Sequence, residues 1–196
     1  MGLASPPGRP PATSHAAIER AAFALFIEFG FDQTTTDQIA EAAGIGRRTL
    51  FRYFPSKNDI PWGQFDDNLD YFRATLDSMP ADIPPWQAVQ QSVVRFNSFD
   101  VTALEQHRVR MRLILTTPSL QAHSVLMYER WRSVIAEYLA RRLGTQPTDL
   151  LPRLAAHVSL ALSICAYEQW LDEPGTSLAQ LLAESMLALR GYLDHG

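Results

Sequence analysis

Residues 34–57 read TTTDQIAEAAGIGRRTLFRYFPSK and decide the fold of the N-terminal part of this 196-residue chain. A threonine at position 35 or 36 can cap a short helix, DQIAEAAG, which Gly44 ends. The turn GIG leads to a second short helix, RRTLFRYF, which ends before Pro55. Two short helices joined by a tight turn are typical of a helix-turn-helix, whose second helix enters the major groove of DNA.

The second helix carries the side chains that can read bases. Arg47 and Arg48 occupy its first turn, where an arginine fork can donate two hydrogen bonds to guanine O6 and N7. Arg52 lies about one turn further on and can reach a base or a phosphate. Thr49 can donate its hydroxyl to a phosphate or contact a thymine methyl. Phe51 is ambiguous between an outward contact and internal packing.

Other residues of the segment suit phosphate contacts, which position a protein without reading sequence. Tyr53 and Lys57 lie where the chain leaves the groove, and the hydroxyl of Thr36 opens the first short helix. Leu50 and Phe54 are four residues apart and should form the buried side of the second helix. The alternative for the whole segment is a solvated basic face on an ordinary helical hairpin.

Composition restricts the functional classes. The net charge is −4, so DNA binding requires a local basic patch, and residues 44–57 supply one without any acid. The single cysteine, Cys165, excludes an intrachain disulfide and is expected to be a buried hydrophobe in a reducing cytoplasm, with a redox role as the alternative. No catalytic or metal-binding motif, signal peptide or long apolar run is present, which predicts a cytoplasmic protein that is no enzyme, carries no metal or cofactor and contacts no membrane.

The hydrophobic spacing predicts an all-α protein of nine helices in three parts. Residues 1–12 form a flexible arm, residues 13–55 a three-helix DNA-binding domain, and residues 56–196 a six-helix bundle for ligand binding and dimerisation. Ser56 is expected to cap a long fourth helix, which Pro61 should distort or restart near its first turns.

Aromatic and soft side chains recur along the bundle at helical spacing. They predict an apolar effector pocket, with hydrophobic core as the alternative. The pocket candidates are Trp62, Phe65, Leu69, Phe72, Phe99, His107, Arg110, Met111, Leu115, Tyr128, Trp131 and Tyr167.

A basic cluster, HRVRMR at residues 107–112, allows two interpretations. One is a solvated face paired with acids such as Glu105, and the other is an anion site at the mouth of the pocket. The last two helices, LAAHVSLALSICAYEQWL and LAQLLAESMLALRGYL, carry apolar faces wider than one partner helix requires. We expect them to form a homodimer interface, which would place two recognition helices on a palindromic operator.

The stretch GF–TTT–IAEAAGIGRRTLFRYFPSK, up to Lys57, resembles the TetR family of bacterial transcriptional regulators. The resemblance implies an Ω-shaped all-helical homodimer, in which three N-terminal helices bind double-stranded DNA and a C-terminal domain binds a small effector. Several members sense acyl-CoA or fatty acids, so the resemblance favours a ligand-released repressor with an apolar or acyl-CoA-like effector.

A narrower resemblance extends over most of the chain. The segments RYFPSKNDIPWGQFDDNLDYFR, HRVRMRLILTTPSLQAHSVLMYERWR and ICAYEQWL are similar to regulators of mycofactocin gene clusters in actinobacteria. The alternative function is a helical small-molecule carrier whose N-terminal hairpin is structural.

Overall fold

A computed structural model describes residues 14–99 and 101–195, so the predicted arm at residues 1–12 lies outside the described residues. Across the described ranges the chain forms nine α-helices, one 3₁₀ helix and no strand, which confirms the all-α prediction. The α-helices are α1 (His15–Phe29), α2 (Thr36–Ala42), α3 (Arg47–Tyr53), α4 (Phe65–Asp77), α5 (Pro85–Phe96), α6 (Val101–Thr116), α7 (Pro118–Leu143), α8 (Leu150–Asp172) and α9 (Leu178–His195).

The chain divides into two compact units, the first ending at Gly63 and the second starting at Gln64. In the first unit α1 packs against α2, and α2 packs against α3. The core of this unit is formed by apolar side chains that are almost fully buried: Ile18, Ala22, Phe23, Phe26, Phe31, Ile39, Ala40, Leu50, Phe54 and Ile60.

The predicted long helix after Ser56 is interrupted and restarts, which is one of the two outcomes expected from Pro61. Residues Lys57–Trp62 form the 3₁₀ helix, which packs against α1 within the first unit. Pro61 lacks the N–H that an α-helix would use, and Gly63 follows with a φ of 59° and a ψ of −135°, which a side chain would disfavour. The chain therefore restarts as α4 at Phe65, and Trp62 does not belong to the fourth helix.

The second unit is a helical bundle in which α8 packs against α7 and α9, and α4 packs against α5. Its core is a single cluster of buried side chains: Leu69, Phe72, Leu76, Val89, Val93, Trp131, Val134, Ile135, Tyr138, Leu139, Tyr167, Trp170 and Leu182. Among the described helices, α8 has the length and composition that a membrane span would need. Core helices of soluble proteins share those properties, and α8 packs between two partner helices.

Candidate nucleic-acid interface and effector region

Local hydrogen bonds set the geometry of the helix-turn-helix. Thr35 is the N-cap of α2: its hydroxyl accepts from the Gln38 backbone N–H (3.2 Å), and Gln38 Oε1 accepts from the Thr35 backbone N–H (2.8 Å). At the other end of α2, the N–H of Ile45 donates to Ala40 O and the N–H of Gly44 donates to Glu41 O, both at 2.9 Å. This pair of bonds is a Schellman motif, and it requires the positive φ of 66° that Gly44 supplies.

Helix α3 has one buried and one exposed side, as the spacing of its residues predicts. Leu50 and Phe54 are 1% and 2% exposed. Arg47, Arg48 and Arg52 are exposed on the other side. Three basic side chains thus project from a helix whose opposite face is anchored in the core.

The ambiguity over Phe51 is resolved by its position on the exposed side of α3. The ring is 37% exposed, and the Arg47 guanidinium carbon lies 5.5 Å from its centroid. Phe51 also lines a shallow surface depression with Arg48, Thr49 and Arg52. The aromatic ring is therefore part of the basic surface and not of the core.

Two further contacts support the arginines of α3. Arg47 Nη1 lies 3.5 Å from Asp37 Oδ1, an acid in the first turn of α2 that sequence reasoning did not connect with α3. The Arg52 guanidinium carbon lies 5.5 Å from the centroid of the Tyr53 ring. The Tyr53 ring makes an edge contact with His15 of α1 at 4.8 Å.

Lys57 has an internal role that its sequence position did not reveal. Its ammonium donates to the carbonyls of Phe31 (2.8 Å) and Thr34 (2.9 Å) and lies 4.4 Å from the centroid of the Phe31 ring. Burial lowers the pKa of Lys57 from its ordinary value. Two of its three N–H donors are thus used to join the α1–α2 loop to the segment after α3, and one donor remains for the phosphate contact predicted from the sequence.

The predicted pocket residues fall into four groups in the structure. Trp62 lies in the first unit, while the other candidates lie in the second. Leu69, Phe72, Trp131 and Tyr167 belong to the buried core, where the rings of Phe72 and Trp131 stack with centroids 5.3 Å apart. Three partly buried candidates pack against that core: Phe65, Met111 and Leu115.

Two of the remaining candidates, Phe99 and His107, adjoin a polar network around the core residue Tyr167. The Tyr167 hydroxyl donates to Asn97 Oδ1 (2.6 Å) and lies 2.8 Å from His107 Nε2. Because the hydroxyl hydrogen is used by Asn97, the His107 Nε2–H must be the donor to the tyrosine oxygen. Phe99 covers the imidazole with a centroid distance of 3.8 Å, although its own side chain is exposed.

Burial governs the titration of this network. It lowers the pKa of His107 from 6.5 to about 3, and the positive charge of Arg110 acts in the same direction. Burial also raises the pKa of the Tyr167 hydroxyl, with a smaller contribution from Tyr128. The pKa of Tyr128 is raised as well, mainly by burial and against the effect of a hydrogen bond with Ser124. The network is therefore uncharged at neutral pH.

Two arginines of the basic cluster make contacts that neither interpretation from the sequence included. Arg108 donates to the Trp170 carbonyl and lies over the Trp170 ring at 4.0 Å, and Arg112 donates to the Leu171 carbonyl at 3.2 Å. These carbonyls belong to the last turn of α8, the end of a helix that carries partial negative charge. Arg108 and Arg112 therefore cap α8, and the Arg112 side chain is at the same time exposed to solvent.

Apolar side chains are exposed along α8 and α9. Leu150 is 81% exposed and Leu154 is 53% exposed. The other exposed large side chains of these helices are Leu151, Leu187, Tyr192 and Leu193. The prediction that Cys165 is buried is wrong, because Cys165 is exposed on α8. Its neighbours Ala166 and Tyr167 face the core instead, so the helix turns Cys165 outward.

Fold and surface together define a helix-turn-helix protein with a helical C-terminal bundle. The model of bacterial regulatory proteins of the tetR family matches residues 18–60, and the model of the MftR C-terminal domain matches residues 83–194. The chain belongs to the TetR family of bacterial transcriptional regulators, and within it to the members with an MftR C-terminal domain. It is a DNA-binding regulator, and repression and ligand binding are typical of its family.

Two relatives show how far the similarity extends. The chain is 42% identical over 187 residues to MftR of Mycobacterium tuberculosis, a protein named as a regulator of mycofactocin biosynthesis, and the match covers 95% of this chain and 94% of that one. It is 30% identical over 169 residues to the transcriptional regulator TcmR of Streptomyces glaucescens, with coverage of 83% and 75%.

Solved structures share the fold at lower identity. FadR of Bacillus halodurans, a fatty acid degradation regulator, superposes with a TM-score of 0.66 at 19% identity over 91% of this chain and 98% of that one. FadR of Thermus thermophilus, a repressor solved with lauroyl-CoA, superposes with a TM-score of 0.57 at 24% identity over 90% of this chain and 93% of that one.

Proposed function

We propose that this regulator is a cytoplasmic repressor that binds a palindromic operator as a homodimer and is released by an apolar effector. The observation that carries the DNA-binding part is the arginine face of α3, held by the buried anchors Leu50 and Phe54. Arg48 forms no hydrogen bond or ion pair with the described residues, so its guanidinium is available for a base edge. Arg47 is presented beside it, at the first residue of α3.

We assign the remaining contacts by reach and chemistry. Thr49 and Phe51 border the same depression as the arginines and suit base edges or thymine methyl groups. Phosphate contacts, which fix the register of the protein on the duplex, are assigned to Thr36, Arg52 and Tyr53. Lys57 retains one N–H beyond its two internal bonds, so at most one phosphate contact is assigned to it.

The exposed apolar side chains of α8 and α9 support the homodimer. A protomer with leucines such as Leu150 and Leu154 more than half exposed gains by burying them against a second copy. A two-fold contact uses the same surface on both subunits and places the two copies of α3 about one DNA turn apart. The operator is therefore an inverted repeat.

The effector is assigned to the second unit. Its core is rich in aromatic and aliphatic side chains, and the uncharged pair His107 and Tyr167 supplies a hydrogen-bonding group within apolar surroundings. Such a site suits an apolar molecule with one polar group. An acyl-CoA or fatty acid is the first class to test, because the Thermus thermophilus repressor with this fold was solved with lauroyl-CoA.

Fluorescence anisotropy with duplex DNA from the upstream region of the gene tests the proposal. We expect binding that survives physiological salt and scrambled competitor, and that weakens by about 1–3 kcal/mol when either Arg47→Ala or Arg48→Ala removes a base-reading side chain. Arg141→Ala, which removes an exposed charge from α7, is the matched control. If the α3 variants behaved like this control, the helical carrier would become the better explanation. Addition of lauroyl-CoA to the complex then tests release.

A further inference from the structure

Arg47 is held from two sides before any DNA is present. Its Nη1 pairs with Asp37 Oδ1 at 3.5 Å, and its guanidinium lies over the ring of Phe51, one turn further along α3. Asp37 itself sits on a well-defined helix, because the Thr35–Gln38 capping box begins α2 and a Schellman motif ends it. The backbone that carries this carboxylate thus has a defined position on α2, which packs against α3.

This acid is unfavourable for DNA affinity as such. A carboxylate at a phosphate-binding surface repels the backbone and reduces the sequence-independent attraction that lysines and arginines provide. Its pairing with Arg47 also contributes little in water, since the two side chains are 68% and 62% exposed. The position of Asp37 next to Arg47 is explained if the acid contributes to the sequence specificity of DNA binding and not to its affinity.

The chemistry of the arginine fork supports such a role. A guanidinium has five N–H donors, and one directed to Asp37 leaves others for O6 and N7 of a guanine. An arginine held by a carboxylate and a ring loses less side-chain freedom on binding, and it cannot swing away to a neighbouring phosphate without breaking the pair. When DNA excludes water from the contact, the ion pair becomes stronger.

We infer that Asp37 is a positioning residue that makes Arg47 selective for guanine at one base pair of each operator half-site. The inference rests on the proposed function of α3 and adds the residue that determines its specificity.

Asp37→Asn is the test, because it keeps the shape of the side chain and removes its charge. Glu41→Gln is the matched control: Glu41 lies one turn later on α2 and forms no ion pair with the described residues, and the variant loses the same charge. Each protein is incubated with a randomised duplex library to find its preferred half-site. Its affinity is then measured on the operator and on duplexes changed at the base pair that Arg47 reads.

We expect Asp37→Asn to lower the preference for guanine at that base pair about two- to fivefold, while binding to unrelated duplexes stays equal or becomes tighter. Glu41→Gln should change all duplexes by the same factor and leave the preference intact. In an Arg47→Ala background, Asp37→Asn should no longer alter the preference. Circular dichroism of both variants should match the parent protein.

The outcomes separate this inference from the function on which it depends. If Arg47→Ala reduces the guanine preference and Asp37→Asn changes every duplex by one factor, as Glu41→Gln does, then Asp37 acts only through its charge and the inference is overturned. If Arg47→Ala itself leaves the preference unchanged, the base-reading role of Arg47 fails, and the role of Asp37 fails with it.

Discussion

His107 makes the stability of the second unit depend on pH in a direction that the structure fixes. The imidazole is enclosed by the Phe99 ring and the Tyr167 hydroxyl, and Arg110 adds a repulsive charge. These surroundings disfavour the imidazolium and lower the pKa from 6.5 to about 3 in the folded protein. In the unfolded chain the imidazole returns to its ordinary pKa.

The sign follows from proton binding. Between pH 6.5 and about 3 the unfolded chain holds a proton on His107 that the folded protein does not. Stability therefore rises with pH in this window, is complete above pH 6.5, and is lost as the pH falls below it. The free energy of unfolding changes by up to about 1.36 kcal/mol per pH unit below pH 6.5, so acidification from pH 6.5 to 5.0 costs about 1.6 kcal/mol through this residue.

Urea unfolding followed by tryptophan fluorescence at several pH values measures the effect. The comparison is between the parent protein and His107→Gln at one fixed protomer concentration, because a dimer becomes more stable as concentration rises. All other ionisable groups are the same in the two proteins. The difference between their slopes of unfolding free energy against pH therefore isolates the contribution of His107. Equal slopes would refute the reasoning, since they would mean that His107 is as readily protonated in the folded protein as in the unfolded chain.

Three further outcomes follow from the structure. Tyr167→Phe removes a hydroxyl that is hydrogen-bonded to Asn97 and His107, and it should lower the free energy of unfolding by about 1–3 kcal/mol. The control is Tyr71→Phe, because Tyr71 is exposed on α4. It should change the free energy of unfolding by less than about 0.5 kcal/mol in the same urea titration. Lys57→Met removes two charged hydrogen bonds and should destabilise the first unit by about 1–3 kcal/mol, which would lower the temperature of its thermal unfolding transition. If the variant bound DNA more weakly and the transition temperature stayed the same, the ammonium would be assigned to a phosphate contact instead. Leu154→Glu puts a charge on the exposed face of α8 and should prevent dimerisation. Analytical ultracentrifugation at micromolar concentration should then show monomers. A variant that still sedimented as a dimer would exclude this face from the interface.

The helix-turn-helix could be predicted from sequence because its signals are local. The Thr35 cap and the Gly44 turn act within five residues of their partners, and Leu50 and Phe54 lie on one face by helical spacing alone. Local reasoning also placed a disturbance at Pro61. The expectation that Pro61 would distort the helix or restart it was correct, but the sequence left open which of the two occurs, because a proline near a helix start can be tolerated.

Contacts distant in sequence were decided only by the tertiary structure. Lys57 reaches carbonyls more than 20 residues earlier, and Arg108 and Arg112 reach the end of α8 about 60 residues later. Helical periodicity gives the face on which a side chain lies but not the element that covers that face, so a cation on α6 could equally meet solvent, a ligand or a helix end.

The rotation of α8 about its own axis, which decides the face that it buries, was also determined only by the tertiary structure. This helix is apolar on most of its sides, so its sequence does not distinguish the face that meets α7 and α9 from the face that carries Leu154 and Cys165. The sequence by itself determined which segments are helices and which of them presents arginines. Packing between helices then determined which apolar side chains are enclosed and which basic groups donate to backbone carbonyls, because burial and hydrogen bonding depend on neighbours that the chain brings together only when it folds.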